Sequence, residues 1–378
     1  MGVWGSDLLK LSNSLVIGLL TILVVSQALS QYIIQPLTYD GTLVRTGRYS
    51  FTFDAWDTIG NDEQETIVGI GTSITQYALS GNCIEEELNS FQSNVYNLGV
   101  PGSLPYIEMM QTTAAVQNNP SLILLEMNPI NMYPLVFASD EYIEMRIKLN
   151  SLYIHSSDYG KWTELLRPQD AIHLDGVIAN RYGSESTYFN EAAEDYLQRF
   201  LDRKENDGQW QHNQGHWYLS TPTPQSSKWE EYLGDPVWSP RYLDSLNITE
   251  LEIYENETIP QQLQRPRYQP ILEERNLNQM AIEYMVKEFS ENDIPVILIS
   301  YPIHPSAVSA LNKNQFEAHN QTLENLNSYH GVTVVNLIWE NDWTSLDFYD
   351  IEHLDEPGRE KICAIIAPKI DEVLNMAA

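Results

Sequence analysis

Thr66-Ile67-Val68-Gly69-Ile70-Gly71-Thr72-Ser73-Ile74-Thr75 is the stretch from which the rest of the chain can be read. Val68 and Ile70 favour extended backbone, Gly69 and Gly71 permit a tight turn, and Ala78, Leu79 and the acidic run after Cys83 suit a following helix. The pattern predicts an apolar strand that stops at a glycine and presents Ser73 at the entry to a helix. In an open α/β sheet that point lies at the carboxyl edge, where ligands bind. Strand-Gly-x-Ser turns are common, so this stretch alone fits a structural serine more readily than a nucleophile.

The same character recurs along the chain. Asn94 to Leu98 predicts a second strand, closing in Asn97-Leu98-Gly99-Val100-Pro101-Gly102, and Tyr106 to Gln117 the helix after it. Ser121 to Glu126 is continuously apolar at its centre and predicts a buried strand. Pro295 to Ser300 follows a helix expected over Asn276 to Ser290, Gly331 to Asn336 supplies a fifth strand, and Gly358 to Met376 a terminal helix. Strands alternating with helices imply a parallel sheet with helices on both faces. Residues 131–275 interrupt this pattern, far beyond the few residues usual in such a connection. Trp162, Trp210, Trp217, Trp229 and Trp238 crowd there, and Pro222, Pro224, Pro236 and Pro240 break periodicity. We expect an inserted cap over the carboxyl edge, with helices near Ser139 to Leu152 and Asn190 to Arg203. Its aromatics could stack on sugars or acyl chains, although such residues more often anchor a core.

Composition narrows the class. The chain has 378 residues, 43% of them hydrophobic, and can bury a full core. A formal charge of −31 with only 21 Lys plus Arg argues against nucleic acid or anionic lipid as the main partner. A heavily solvated surface is the simplest reading of that acidity. Near the amino terminus, Leu15 to Val25 is interrupted only by Gly18 and Thr21. Extended to Ile34 the segment reaches the roughly 20 residues needed to cross a bilayer. We expect a transmembrane anchor over residues 15–34 behind a cytoplasmic segment, 1–14. Ser26-Gln27-Ala28 would also serve as a signal-peptide cleavage site, but apolar residues resume at Tyr32, Ile33 and Ile34 beyond it. Lys10 before the segment and Arg45 and Arg48 after it leave orientation open. Residues 35–65 read as a linker with a short strand around Tyr49 to Phe53.

Three Asn-x-Thr sequons, at Asn247, Asn256 and Asn320, follow the hydrophobic segment, as expected of an exported glycoprotein domain. Cys83 and Cys363 are the only cysteines. Each falls in an expected helix just after a candidate active-site segment, so a disulfide and two buried thiols are equally open.

Near the other end the chain reads Asp350-Ile351-Glu352-His353-Leu354-Asp355 in a loop opening onto the last helix. A hydroxyl is a poor nucleophile at neutral pH and needs an imidazole to take its proton, which in turn needs a partner to orient it. Asp350 and His353 could fill those roles for Ser73. Taken alone, the loop fits a local turn capped by Asp350 more readily.

Together these segments resemble the SGNH, or GDSL-like, hydrolase family. Gly71-Thr72-Ser73 is similar to its Gly-Asp-Ser block, with Thr72 in place of the aspartate, which implies altered packing more than lost chemistry. Asn97-Leu98-Gly99-Val100-Pro101-Gly102 resembles the second block, Leu125-Glu126-Met127-Asn128-Pro129 stands where the family has Gly-x-Asn-Asp, and Asp350-Ile351-Glu352-His353 matches the closing block. The resemblance covers residues 66–130 and 294–378. It implies a three-layer α/β/α, flavodoxin-like fold with a five-stranded parallel sheet, divided by the insertion into parts at 66–130 and 276–378. It further implies a Ser73, His353, Asp350 triad and an oxyanion hole from Ser73, Gly99 and Asn128, with Asn131 in reserve. Two-step acyl transfer without cofactor or metal would follow, yielding an esterase or an acyltransferase. His304, after the fourth strand, could contact substrate or be structural.

An anchor followed by such a domain is similar in layout to proteins that act on acylated cell-surface polymers. That analogy implies an acylated carbohydrate or envelope polymer as substrate and a membrane acyltransferase as partner. Two other classes stay in view. A binding or accessory protein could keep the fold without turnover, and a metal hydrolase could use Asp350, His353 and Asp355. A nucleotide site at Gly69-Ile70-Gly71 is weaker, because Ile74 replaces the last glycine of the fingerprint.

Overall fold

The computed structural model describes residues 4–29, 52, 55–56, 58–88, 90, 92–100, 102–150, 161–179, 243, 246–265, 276–310, 313–339 and 343–377. Its centre is a sheet of five parallel strands, β1 (Glu65–Ile70), β2 (Ser93–Asn97), β3 (Leu122–Glu126), β4 (Val296–Ser300) and β5 (Val332–Asn336), in the order β2-β1-β3-β4-β5. This is the flavodoxin-like strand order. Register is set by pairs such as Gly69 with Asn97, Ile70 with Leu125, Glu126 with Ile299 and Ser300 with Asn336. The five strand ends therefore reach the carboxyl edge at nearly one level. The chain reverses direction across the sheet between β1 and β3, and crevices in such sheets form there.

Thirteen helices are named in chain order: α1 (Trp4–Leu29), α2 (Ser73–Ala78), α3 (Gly81–Glu87), α4 (Pro105–Glu108), α5 (Thr112–Asn118), α6 (Asp140–Asn150), α7 (Pro168–Ala179), α8 (Ile248–Ile253), α9 (Ile259–Gln262), α10 (Leu277–Glu291), α11 (Pro305–Ala310), α12 (Lys313–Leu326) and α13 (Glu356–Ala377). Strand side chains alternate between faces, so Val68, Ile70, Ile123 and Leu125 enter one core while Ile67, Leu122, Leu124 and Ile297 enter the other. The first core packs on α4, α5 and α10, the second on α2, α3 and α13. Both faces are covered, as a parallel sheet requires. On α13, Ile362, Ile366 and Ile370 form an i, i+4, i+8 stripe, each fully buried. Each such side chain contributes roughly 1.5–3 kcal/mol by leaving water.

Several boundaries differ from expectation. The helix expected over Tyr106 to Gln117 is α4, a 3-10 turn at Met109–Gln111, and α5, which ends at Asn119 in the left-handed region (φ 45°). The last residues of the expected linker belong to the domain: Ala55, Trp56 and Ile59 are buried in the first core. The strand expected at 49–53 lies outside the described residues save Thr52, which is helical.

The span expected over residues 15–34 is described only in part. Helix α1 starts at Trp4 and ends at Leu29, and residues 30–34 lie outside the described part. Among the described residues no helix is long and apolar enough to cross a membrane. The near-continuous apolar run, Leu15 to Val25, is eleven residues, short of the roughly 20 a bilayer needs.

The insertion contributes to both helical layers. Ile143, Ile147, Trp162 and Leu174 lie in the first core, and Leu243, Tyr254, Ile259 and Leu263 in the second. Trp162 is thus a core residue. The expected helix at 190–203 and Trp210, Trp217, Trp229 and Trp238 lie outside the described residues.

Candidate active site

Ser73 is the first residue of α2, three residues past the end of β1. Thr72 caps that helix, its hydroxyl accepting from the Ile74 N–H at 3.1 Å. Gly71 is required here: a Cβ would stand 2.1 Å from Thr75 Oγ1 and 2.5 Å from Glu126 Oε2.

The histidine arrives on a loop pinned at both ends. Thr344 and Asp347 form a capping box, Asp355 N–H donates to the Asp347 carbonyl at 3.0 Å, and Phe348 pairs with Leu354 as an isolated bridge. Lys361 from α13 binds the Asp347 carboxylate at 2.7 Å. Within the loop, Asp350 Oδ1 accepts from the backbone N–H groups of Glu352 and His353, both at 2.9 Å. Such an aspartate turn builds the loop and aims the carboxylate at the ring of the same residue it supports.

The result is a chain of three groups. His353 Nδ1 lies 2.8 Å from Asp350 Oδ2, and His353 Nε2 lies 2.8 Å from Ser73 Oγ. With Nδ1–H donated to the carboxylate, Nε2 of the neutral ring carries the lone pair and accepts from the serine hydroxyl. The Tyr77 ring packs on the imidazole with centroids 4.7 Å apart. Burial would raise the Asp350 carboxyl, but the adjacent imidazole and the hydrogen bonds it accepts outweigh that and hold it below the usual aspartate range.

A cleft of about 100 Å³ opens beside Ser73, walled in part by Gly102, Asn131, Tyr133, Tyr142 and Glu352. The expected oxyanion residues stand in different places. The Gly99 N–H donates to Asn97 Oδ1 at 3.1 Å, and Gly99 does not line the cleft. Its role is close approach, since a Cβ would meet Gln76 N at 2.6 Å and Thr72 O at 2.8 Å. Gly102 is the glycine of this segment that lines the cleft, with φ +66° and its carbonyl bonded by the Tyr142 hydroxyl. Asn128 is fully buried away from the cleft lining, and neither amide atom has a partner among the described residues. The reserve residue, Asn131, does line the cleft, with its Nδ2 bound to Glu126 and Thr72.

His304 is not a cleft residue. It is fully buried against Phe348 and Tyr254, its backbone N–H donates to the Ile351 carbonyl at 3.0 Å, and burial pushes its imidazole down to about 4. It therefore stands behind the loop that carries Asp350 and His353. Cys83 and Cys363 form a disulfide, which settles the alternative left by the sequence. It joins α3, just behind the nucleophile, to α13, just behind the histidine.

Of the sequon asparagines, Asn247 caps α8 and is exposed, Asn256 is exposed with its amide bonded to the Glu252 carbonyl, and Asn320 is half-buried with its oxygen bonded by Asn336. Among the described residues no group of three or more His, Cys, Asp or Glu side chains is arranged to hold a metal ion. Asp355 instead receives the Glu356 N–H at the start of α13.

Residues that sequence reading passed over include Gly102, Tyr142, Glu352 and Glu126. Only Gly102 carried a local signal, as the second glycine of its segment. No protein-family model matches the chain, and no curated protein sequence matches it.

Proposed function

We propose that this protein is a serine esterase or O-acyltransferase of SGNH type, working through an acyl-Ser73 intermediate. The observation that carries the reading is the unbroken chain from Asp350 to His353 to Ser73, with 2.8 Å at each link. As Ser73 Oγ attacks an ester carbonyl, its proton passes to His353 Nε2 and the Oγ–C bond forms. Asp350 holds the imidazolium that results. The tetrahedral oxyanion faces the Ser73 N–H, the start of α2 and the cleft wall around Gly102 and Asn131. Each donor in such a site commonly contributes about 10²- to 10³-fold in rate. Collapse breaks the C–O bond, and the proton on Nε2 leaves with the alcohol. Water, or a sugar hydroxyl, then repeats the sequence in reverse and frees Ser73.

Other features support an extracytoplasmic setting and an acylated carbohydrate or envelope polymer as substrate. The disulfide suits an oxidising compartment. Two of three sequon asparagines are exposed. The apolar residues of α1 from Leu15 to Val25 are between 49% and 67% exposed, a surface suited to membrane anchoring and to a membrane acyltransferase partner.

The test is labelling of the full chain with a fluorophosphonate. We expect one adduct, on the peptide containing Ser73, and none in Ser73→Ala. Absence of labelling in the unmodified protein, with the fold intact, would favour a binding or accessory protein instead.

A further inference from the structure

Glu126 ends β3 with its side chain pointed under the nucleophile turn rather than toward substrate. It is 3% exposed and accepts from five donors. These are the Thr72 N–H at 2.8 Å, the Thr72 hydroxyl at 2.9 Å, the Thr75 N–H at 3.1 Å, the Thr75 hydroxyl at 2.7 Å and the Asn131 amide. Thr72 and Thr75 bracket Ser73 in sequence, and Asn131 forms part of the cleft wall. One carboxylate thus fixes the turn that carries the nucleophile and a wall of the site it attacks into.

We infer that Glu126 is the positioning residue of the acyl-transfer site, supplying from β3 the carboxylate that position 72 lacks. The inference rests on the function proposed above. Glu126 touches neither Ser73 nor the cleft, so its effect passes through Thr72, Thr75 and Asn131.

Electrostatics support this assignment. Glu108, on α4, is a second fully buried carboxyl near Glu126, and neither of its oxygens has a partner by hydrogen-bond geometry among the described residues. Burial raises both groups, Glu108 much further, with the charge of Glu126 adding to its rise, whereas the donors around Glu126 oppose it. Burial and the neighbouring Glu126 charge favour the neutral form of Glu108, while the donors around Glu126 favour its charged form.

Geometry also indicates a substitute. The Thr72 hydroxyl already lies 3.1 Å from the Ile74 N–H and 3.2 Å from Asn131 Nδ2. An aspartate introduced by Thr72→Asp would cap α2 and reach the same donors.

The test measures fluorophosphonate labelling rate and p-nitrophenyl acetate hydrolysis in the full chain, with melting temperature as the fold control. Glu126→Gln places an amide N–H against donors; we expect kcat to fall about 10²-fold with KM little changed, as for a small misplacement of reacting groups. Thr72→Asp alone crowds two carboxylates and should lower the rate, yet in the Glu126→Gln background it should restore most of it. Thr75→Val removes one donor and should cost about tenfold. A folded Glu126→Gln with unchanged kcat, or failure of Thr72→Asp to reverse its effect, overturns the inference. Should Glu126→Gln not fold, an unchanged labelling rate in Thr75→Val overturns it. Labelling that persists in Ser73→Ala defeats the acyl-transfer reading itself, whereas labelling lost there with Glu126→Gln at full rate defeats only the role of Glu126.

Discussion

Asp350 serves the loop and the ring with one carboxylate, and the two tasks separate on substitution. In Asp350→Asn the amide oxygen can still accept from the Glu352 and His353 N–H groups, so the loop should persist. The amide N–H₂ would then face Nδ1, shifting the ring proton to Nε2 and aiming it at Ser73. In the serine-protease triad the equivalent change costs about 10⁴-fold, and a loss of similar order in kcat is expected here with little change in KM. Stability should follow the same carboxylate. Its pKa is lowered by folding, so its contribution is complete above the ordinary aspartate value and is lost as pH falls through the lower folded value. The difference in melting temperature between the protein and Asp350→Asn should therefore be present at pH 6 and shrink below about pH 4.

Residue roles were legible where a short motif contained its own partner. Asp350 and His353 lie three apart, and Ser73 follows a strand, so all three could be named from sequence. Gly99 was chosen over Gly102 because the distinction depends on a backbone φ and on Asn97 capturing the Gly99 N–H. Glu126 was hidden because Thr72 and Thr75 lie more than fifty positions upstream of it. Only pairing of β1 with β3 brings them together.

Among elements, the end of β2 approaches α2 tightly. Gly99 packs on the backbone of Thr72 and Gln76, which cannot rotate aside as a side chain would. Gly99→Ala should lower the melting temperature by several degrees and slow labelling of Ser73, read by differential scanning fluorimetry and adduct kinetics. Gly69→Ala is less diagnostic, because its nearest neighbour is the end of a leucine side chain. All five strands were readable to within a residue or two, since continuous apolar runs bounded by turn residues have few other interpretations. Shorter helices were not. Helices α8, α9 and α11 have four to six residues each and too few turns to establish a period. Helix α12 could have been found, from His319, Leu323 and Leu326 at spacings of four and three.

At the scale of the whole molecule, pH should act through buried histidines. His304 and His319 are both neutral in the fold and pushed down to about 4 by burial. His319 also joins β4 to the end of β3, since Ser300 Oγ contacts its Nε2 at 2.9 Å and donates to the Met127 carbonyl at 2.7 Å. A histidine depressed by folding binds protons in the unfolded chain first, so stability is lost as pH falls from about 6.5 toward 4. For each ring the shift corresponds to about 3 kcal/mol at most. Denaturant midpoints should fall across that window, and less steeply in His304→Phe. Salt opposes the effect of charge: at −31 the folded chain repels itself, so screening by moderate NaCl should raise the melting temperature.

The disulfide has a topological consequence. Cys83 follows Ser73 by ten positions and Cys363 follows His353 by ten, so the two partners of the proton transfer sit just outside and just inside a covalent ring. A peptide bond severed anywhere between Cys83 and His353, for example between residues 180 and 242, would leave Ser73 and His353 on separate polypeptides still tied by sulfur. Such clipped material should migrate as a single band without reductant and as two with it. If the remaining contacts keep the halves in register, it should continue to take up the phosphonate until dithiothreitol releases them.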